Sequence, residues 1–212
     1  MKILLMGAPG SGKGAQGSLI VDKHNIIRIS TGDMLRQQIK IGSDIGMLAK
    51  KYMGRGELVP DDLIIQLLSE RLLQQDASKG FILDGFPRTQ SQAVMMTDQD
   101  IIPDLILVLD APDEVIIQRI CGRLTHMASG RVYHEQFSPP KVAGIDDLTG
   151  EPLIRREDDK FDTVSQRLDT YRRHTYPVVQ YYQSIMPEKV VIIDADQPPE
   201  RVFAAVEPHL HL

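Results

Sequence analysis

Apolar residues along this chain fall into two patterns. Short unbroken runs at Lys2 to Met6, Ile26 to Ile29, Phe81 to Leu83, Leu105 to Leu109 and Val190 to Ile193 are bounded by turn residues, and the stretches between them repeat apolar positions at helical spacing. Runs of Val, Ile and Leu without polar alternation suit strands covered on both faces. The pattern therefore predicts an α/β class with a parallel sheet and right-handed crossovers. One helix is expected from Gly14 through His24. Another is expected from Asp61 to Gln75, where Leu63, Ile64, Leu67, Leu68 and Leu72 share a face.

Two segments interrupt the alternation. Between Ser30 and Pro60 the pattern gives short polar helices, with Thr31 and Asp33 offering a cap before Met34 to Lys40, and Ser43 capping a second piece that stops at Gly54. From about Gly122 to Asp159 helical periodicity is lost among Gly130, Gly144, Gly150, Pro139, Pro140 and Pro152, with a β-like piece at Arg131 to His134. Each segment reads either as a surface insertion or as a functional excursion, because long loops in compact domains are usually functional or disordered.

Composition narrows the class. With 212 residues, 42% apolar and 25% charged, the chain can bury a full core. No run approaches the roughly 20 apolar residues of a membrane span. Lys2 leads into a strand where a signal peptide would need its apolar stretch, so a cytoplasmic location without membrane attachment is expected. The single cysteine, Cys121, excludes an internal disulfide and a cysteine-cluster metal site. A net charge of −5 argues against general nucleic-acid binding, so arginines are read as local sites.

The strongest chemical signal is Gly7-Ala-Pro-Gly-Ser-Gly-Lys-Gly14, lying between the first strand and the first helix. Glycines there let backbone N–H groups converge on phosphate at the positive end of the helix, and Lys13 adds a mobile charge. The spacing matches the phosphate-binding loop G-x-x-x-x-G-K-[ST] except at its last place, where Gly14 replaces the magnesium-binding hydroxyl. A glycine-rich turn with a solvated lysine is the plainer alternative. Asp84 and Arg88 follow the strand at Phe81, where ligands of open α/β sheets sit. A carboxylate there can hold the waters of Mg²⁺ and a guanidinium can fork onto phosphate, although Asp84-Gly-Phe-Pro87 also reads as a tight turn. Arg119 and Arg123 share one helical face. A solvated surface accounts best for Arg155, Arg172 and Arg173.

Taken together, these residues resemble the adenylate kinases, in the bacterial form with a long lid. The resemblance rests on five motifs in order: Gly7 to Gly14, Ile29-Ser-Thr-Gly-Asp-Met-Leu-Arg36, Phe81-Ile-Leu-Asp-Gly-Phe-Pro-Arg88, Gly130-Arg-Val-Tyr-His134 and Arg155-Arg-Glu-Asp-Asp159. It implies a P-loop nucleoside triphosphate hydrolase-type core with a five-stranded parallel sheet, built from residues 1–29, 60–121 and 160–212. A helical monophosphate-binding flap at 30–59 and a small β-rich lid at 122–159 complete the expected chain. The implied reaction is reversible, Mg²⁺-dependent, direct in-line transfer of the ATP γ-phosphoryl group to AMP giving two ADP, by a monomer. Such chemistry needs positioning and charge neutralisation more than a nucleophile.

By the same resemblance, Lys13, Arg88, Arg123, Arg156 and Arg167 are expected to be catalytic, with Asp158 and Asp159 aiming the lid arginines and Asp84 ordering Mg²⁺ through water. ATP would meet Gly10, Ser11, Gly12, Lys13, Gly14, Ala15, Arg119, Arg123, Val132, Tyr133 and the Gln197 backbone. AMP would meet Thr31, Arg36, Glu57, Leu58, Val59, Gly85, Phe86, Pro87, Arg88, Gln92, Arg156 and Arg167. Ala15 stands where the family usually carries threonine, a lost hydrogen bond of about 1.5 to 3 kcal/mol at most. Relatives with zinc place four lid ligands, mostly cysteines. The matching positions here are His126, Ser129, Asp146 and Thr149, a poor tetrahedral zinc site but a reasonable hydrogen-bond network. A UMP or CMP kinase on the same scaffold is the alternative. A nucleotide-binding switch is a weaker one, since N-K-x-D and a hydroxyl after Lys13 are both missing.

Overall fold

The computed structural model describes residues 1–210, so the last two positions of the expected core segment lie outside the described residues. Five strands, β1 (Lys2–Gly7), β2 (Ile27–Ser30), β3 (Phe81–Asp84), β4 (Leu105–Asp110) and β7 (Val190–Asp194), form one parallel sheet in the order β2-β3-β1-β4-β7. β1 is central because both its faces are apolar. Leu4 and Met6 join the core that includes Leu83, Val108 and Tyr182, and Ile3 and Leu5 join the opposite core with Ile82, Leu107 and Val202. The edge strand β7 departs from the expectation of full coverage: Ile192 is 55% exposed, since an edge has neighbours on one side only.

Helices α1 (Lys13–His24), α4 (Asp61–Leu72), α5 (Gln90–Asp98), α6 (Asp113–Cys121), α7 (Phe161–Thr170), α8 (Tyr176–Ile185) and α9 (Pro199–Val206) cover the sheet, α7 and α8 being joined by a π turn at Tyr171–Thr175. The first excursion consists of α2 (Thr31–Ile41) and α3 (Asp44–Met53). Ser43 caps α3 by accepting from the Gly46 N–H, as expected. The cap of α2 is Ser30, which accepts from the Asp33 N–H, so Thr31 and Asp33 lie inside the helix and are free to face the ligand side. The helix expected to reach Gln75 ends with Leu72, and Gln75–Lys79 form a separate 3-10 turn. In the second excursion β5 (Arg123–Thr125) pairs antiparallel with β6 (Val132–His134), and Thr125 bridges to Ile154. Both excursions rise beside the C-terminal ends of β1 and β3, where an open parallel sheet leaves its crevice.

Candidate active site

The loop after β1 is shaped by contacts a side chain would forbid. Gly7 has φ +134°, and a Cβ there would lie 2.3 Å from the Leu109 carbonyl oxygen. Gly12, with φ 96°, precedes the first residue of α1. Gly14 is already helical, so its bareness serves a neighbour and not a left-handed turn: an added Cβ would meet the Arg28 guanidinium at 3.0 Å. Lys13 folds back over the loop and donates to the carbonyls of Gly7 at 2.8 Å and Ala8 at 2.7 Å. Burial drives its pKa down to about 8, against the pull of Asp84 and with the repulsion of Arg88, Arg167 and Arg123. The buried Ser11 hydroxyl and Gln16 side-chain oxygen have no hydrogen-bond partner among the described residues. A loop of this kind, with a parked ammonium and an unmet serine hydroxyl able to donate, is prepared for an anion.

Cations from three parts of the chain converge on the same place. Arg123 forms a two-point ion pair with the fully buried Asp159 carboxylate, and Arg167 donates to Asp158 Oδ2 at 2.9 Å. Arg156 departs from the expected pairing with these carboxylates. Its Nε donates to the Thr125 hydroxyl at 3.1 Å, and burial followed by the charges of Arg36 and Arg123 lowers its pKa. Arg88 is also lowered, by burial first and then by Arg167, and its Nε donates to the Gly85 carbonyl at 2.8 Å. Desolvated guanidiniums that repel one another are stabilised by an anion among them. Asp84 ends β3 with its side chain 13% exposed, 3.6 Å from Arg28, and accepts no side-chain hydrogen bond among the described residues. Its free acceptor positions fit a hydrated divalent cation.

Lys13, Arg36, Arg88, Arg123, Arg156 and Arg167 all line one cavity of about 1120 Å³, bounded by the loop and the two excursions. A space of that size exceeds the usual range of about 300 to 1,000 Å³ for a single small-molecule site. Comparison with known protein families gives a match to the model described as adenylate kinase over residues 5–186. The chain belongs to the adenylate kinase family. It is therefore a nucleoside monophosphate kinase of the P-loop class, catalysing phosphoryl transfer between ATP and AMP, with ADP as product and magnesium-bound ATP as donor. Among the described residues no helix is long and apolar enough to cross a membrane.

The kinase brings most of the expected nucleotide residues to this cavity. Thr31, Arg36, Glu57, Leu58, Val59, Gly85, Pro87 and Gln92 line it, while Phe86 packs into the core at 3% exposure. The Thr31 hydroxyl donates to the Gly85 carbonyl at 2.9 Å. Gln92 is oriented by two partners: its Nε2 donates to Asp61 at 2.6 Å, and its Oε1 accepts from the Arg88 N–H at 2.7 Å. One donor and one acceptor position of the amide remain. On the opposite side, Gly10, Ser11, Gly12, Gly14, Ala15, Val132, Tyr133 and Gln197 line the cavity. Arg119 donates to the carbonyls of Ala195 at 2.7 Å and Gln197 at 3.3 Å, which fixes its plane beside them. Gln197 lies in the loop just beyond β7.

In the second excursion, His126 bonds Ser129 through Nδ1 at 2.7 Å, and Thr149 donates to Asp146 at 2.8 Å. The centre of this cluster is a residue the spacing did not reveal. Arg131 grips Asp146 through Nε at 2.8 Å and Nη2 at 2.6 Å, and holds its carboxyl well below the ordinary range. The Tyr133 hydroxyl donates to the same carboxylate at 3.1 Å, and Glu151 meets His126 Nε2 at 2.6 Å. Asp61 and Arg28 were also silent in the sequence. Asp61 read as a helix start, and Arg28 is a charged residue inside a strand, a signal that needed the neighbouring helix before it carried meaning.

Proposed function

We propose that Lys13, Arg88, Arg123, Arg156 and Arg167 carry the phosphoryl transfer, with the loop from Gly10 to Ala15 holding the ATP phosphates and Arg36, Thr31 and Gln92 holding AMP. The observation supporting this is that these cations come from the core, the flap at 30–59 and the lid at 122–159, yet line a single cavity. Preorganised charge of this kind stabilises the oxygens of an in-line transfer without a protein nucleophile. Asp158 and Asp159 hold Arg167 and Arg123 in position. Gln92 reads the adenine edge of AMP with its remaining donor and acceptor. Val132, Tyr133, Arg119 and the Gln197 carbonyl frame the base of ATP. Asp84 would hold Mg²⁺ through its water shell, and the ion, when bound, supplies charge neutralisation at the phosphates. The lid is held by its polar network in place of zinc, and the enzyme works as a cytoplasmic monomer.

Removing one of the central cations tests the assignment. Lys13→Ala and Arg88→Ala are each expected to lower turnover of ATP and AMP by about 100-fold or more while leaving the circular dichroism spectrum unchanged. Near-normal turnover in either variant removes the role given to that residue.

A further inference from the structure

Arg28 occupies a position that strand burial does not favour. It lies in β2, pairs in register with Ile82, and points with the alternation of the strand toward α1, the side on which Ile82 and Leu5 are buried. A guanidinium fits beneath a helix only where the helix is bare, and α1 is bare there twice. A Cβ on Gly17 would sit 2.6 Å from Arg28 Cδ, and one on Gly14 would sit 3.0 Å from Nη1. The aliphatic stem runs through the groove these glycines leave. The head emerges at the mouth of the phosphate loop, where Nη1 donates to the Gly14 carbonyl at 3.0 Å.

Two carboxylates of the cavity meet that head. Arg28 Nη2 donates to Asp33 Oδ2 at 2.8 Å, and Nη1 stands 3.6 Å from Asp84 Oδ2. The other oxygen of Asp33 is taken by Arg36 at 2.6 Å. Asp33 is thus committed to two arginines, and Asp84, the carboxylate with free acceptor positions, has a fixed positive charge at its side. Resting on the assignment of Asp84 to the magnesium subsite, we propose that Arg28 is a resident cation of that subsite, a positioning residue that offsets part of the carboxylate charge without metal and opposes the entry of Mg²⁺. Two positive charges facing one carboxylate repel, and the repulsion is moderate because Asp33, paired with the same guanidinium, offsets part of its charge.

The thermodynamic coupling between Mg²⁺ and nucleotide measures this directly, since each ligand alters the affinity of the other by the same factor. Calorimetric titration of the full-length protein with a non-hydrolysable ATP analogue, in EDTA and in saturating Mg²⁺, gives the coupling as the ratio of the two Kd values. Arg28→Gln should raise that ratio about fivefold, equivalent to roughly 1 kcal/mol. Gly17→Ala should raise it in the same direction, because the added methyl displaces the Arg28 stem while its charge is kept, and it carries the test should the first variant fold poorly. Asp84→Asn should collapse the ratio. An unchanged ratio in both Arg28→Gln and Gly17→Ala, alongside a collapse in Asp84→Asn, overturns the role of Arg28 alone. A ratio that survives Asp84→Asn overturns the magnesium assignment and the role of Arg28 with it.

Discussion

Lys13 carries the imprint of an anionic ligand in its own electrostatics. Burial lowers its pKa to about 8, Asp84 opposes this, and three arginines add to it. A phosphate chain favours the ammonium and must raise that value. Between about pH 8 and the raised value, the free enzyme holds less than one proton on Lys13 while the complex holds a full one. Binding therefore takes up a proton there, and affinity for ATP falls as pH rises, by up to about tenfold per pH unit. Calorimetry at pH 8.5 in buffers of different ionisation enthalpy should show net proton uptake that Lys13→Met abolishes. Uptake of equal size in that variant would assign the titration to another group. Ala15 acts at the same scale, since it keeps a backbone N–H in the first turn of α1 but has no hydroxyl to add to the grip on phosphate.

At the scale of elements, the lid is a case of polar groups doing the work of a core. Its β5–β6 hairpin has three residues per strand, and Phe137, Val142 and Leu148 lie exposed around it. What fixes it is the Asp146 carboxylate, fully buried and gripped by Arg131, Tyr133 and Thr149. Asp146→Ala leaves Arg131 facing an empty site, so the thermal midpoint should fall by several degrees and proteolysis should begin within 122–159. Elemental analysis should find no stoichiometric zinc, and a chelator should leave the wild-type midpoint in place. One zinc per chain, or an unmoved midpoint in the variant, removes the network as the lid's fastener. His126, Ser129, Asp146 and Thr149 are picked out by the resemblance, as the positions that match the zinc ligands of relatives. Arg131 is not, because a charged residue beside the exposed Val132 looks like ordinary surface until the chain folds back from Asp146. The same physics separates the strands from the helix ends. Buried runs such as Leu105 to Leu109 announce themselves in sequence, whereas the choice of Ser30 over Thr31 as a cap turns on a single hydrogen bond.

At the scale of the whole molecule, the cations that must share one phosphoryl group belong to pieces with few mutual anchors. Arg36 rides on the flap, Arg123 and Arg156 flank the lid, and Lys13 and Arg88 stay with the sheet. The flap is tied at its far end, where Thr170 donates to the Gly56 carbonyl at 3.0 Å and a Cβ on Gly56 would lie 2.9 Å from the Thr163 oxygen. Movement is therefore expected between Thr31 and Arg55, with Gly56 as the fixed end. Two nucleotides must enter the cavity that these cations line, and closure of the flap and lid over them would also exclude the water that competes with AMP as acceptor. A ligand joining two adenosines through a phosphate chain should slow backbone hydrogen exchange across 30–59 and 122–159 as well as in the loop at 7–14, with the smallest change around Gly56. Slowing confined to the loop, with both excursions exchanging as in the free enzyme, would mean that the site works without closure and that Arg36 and Arg156 act from where they already stand.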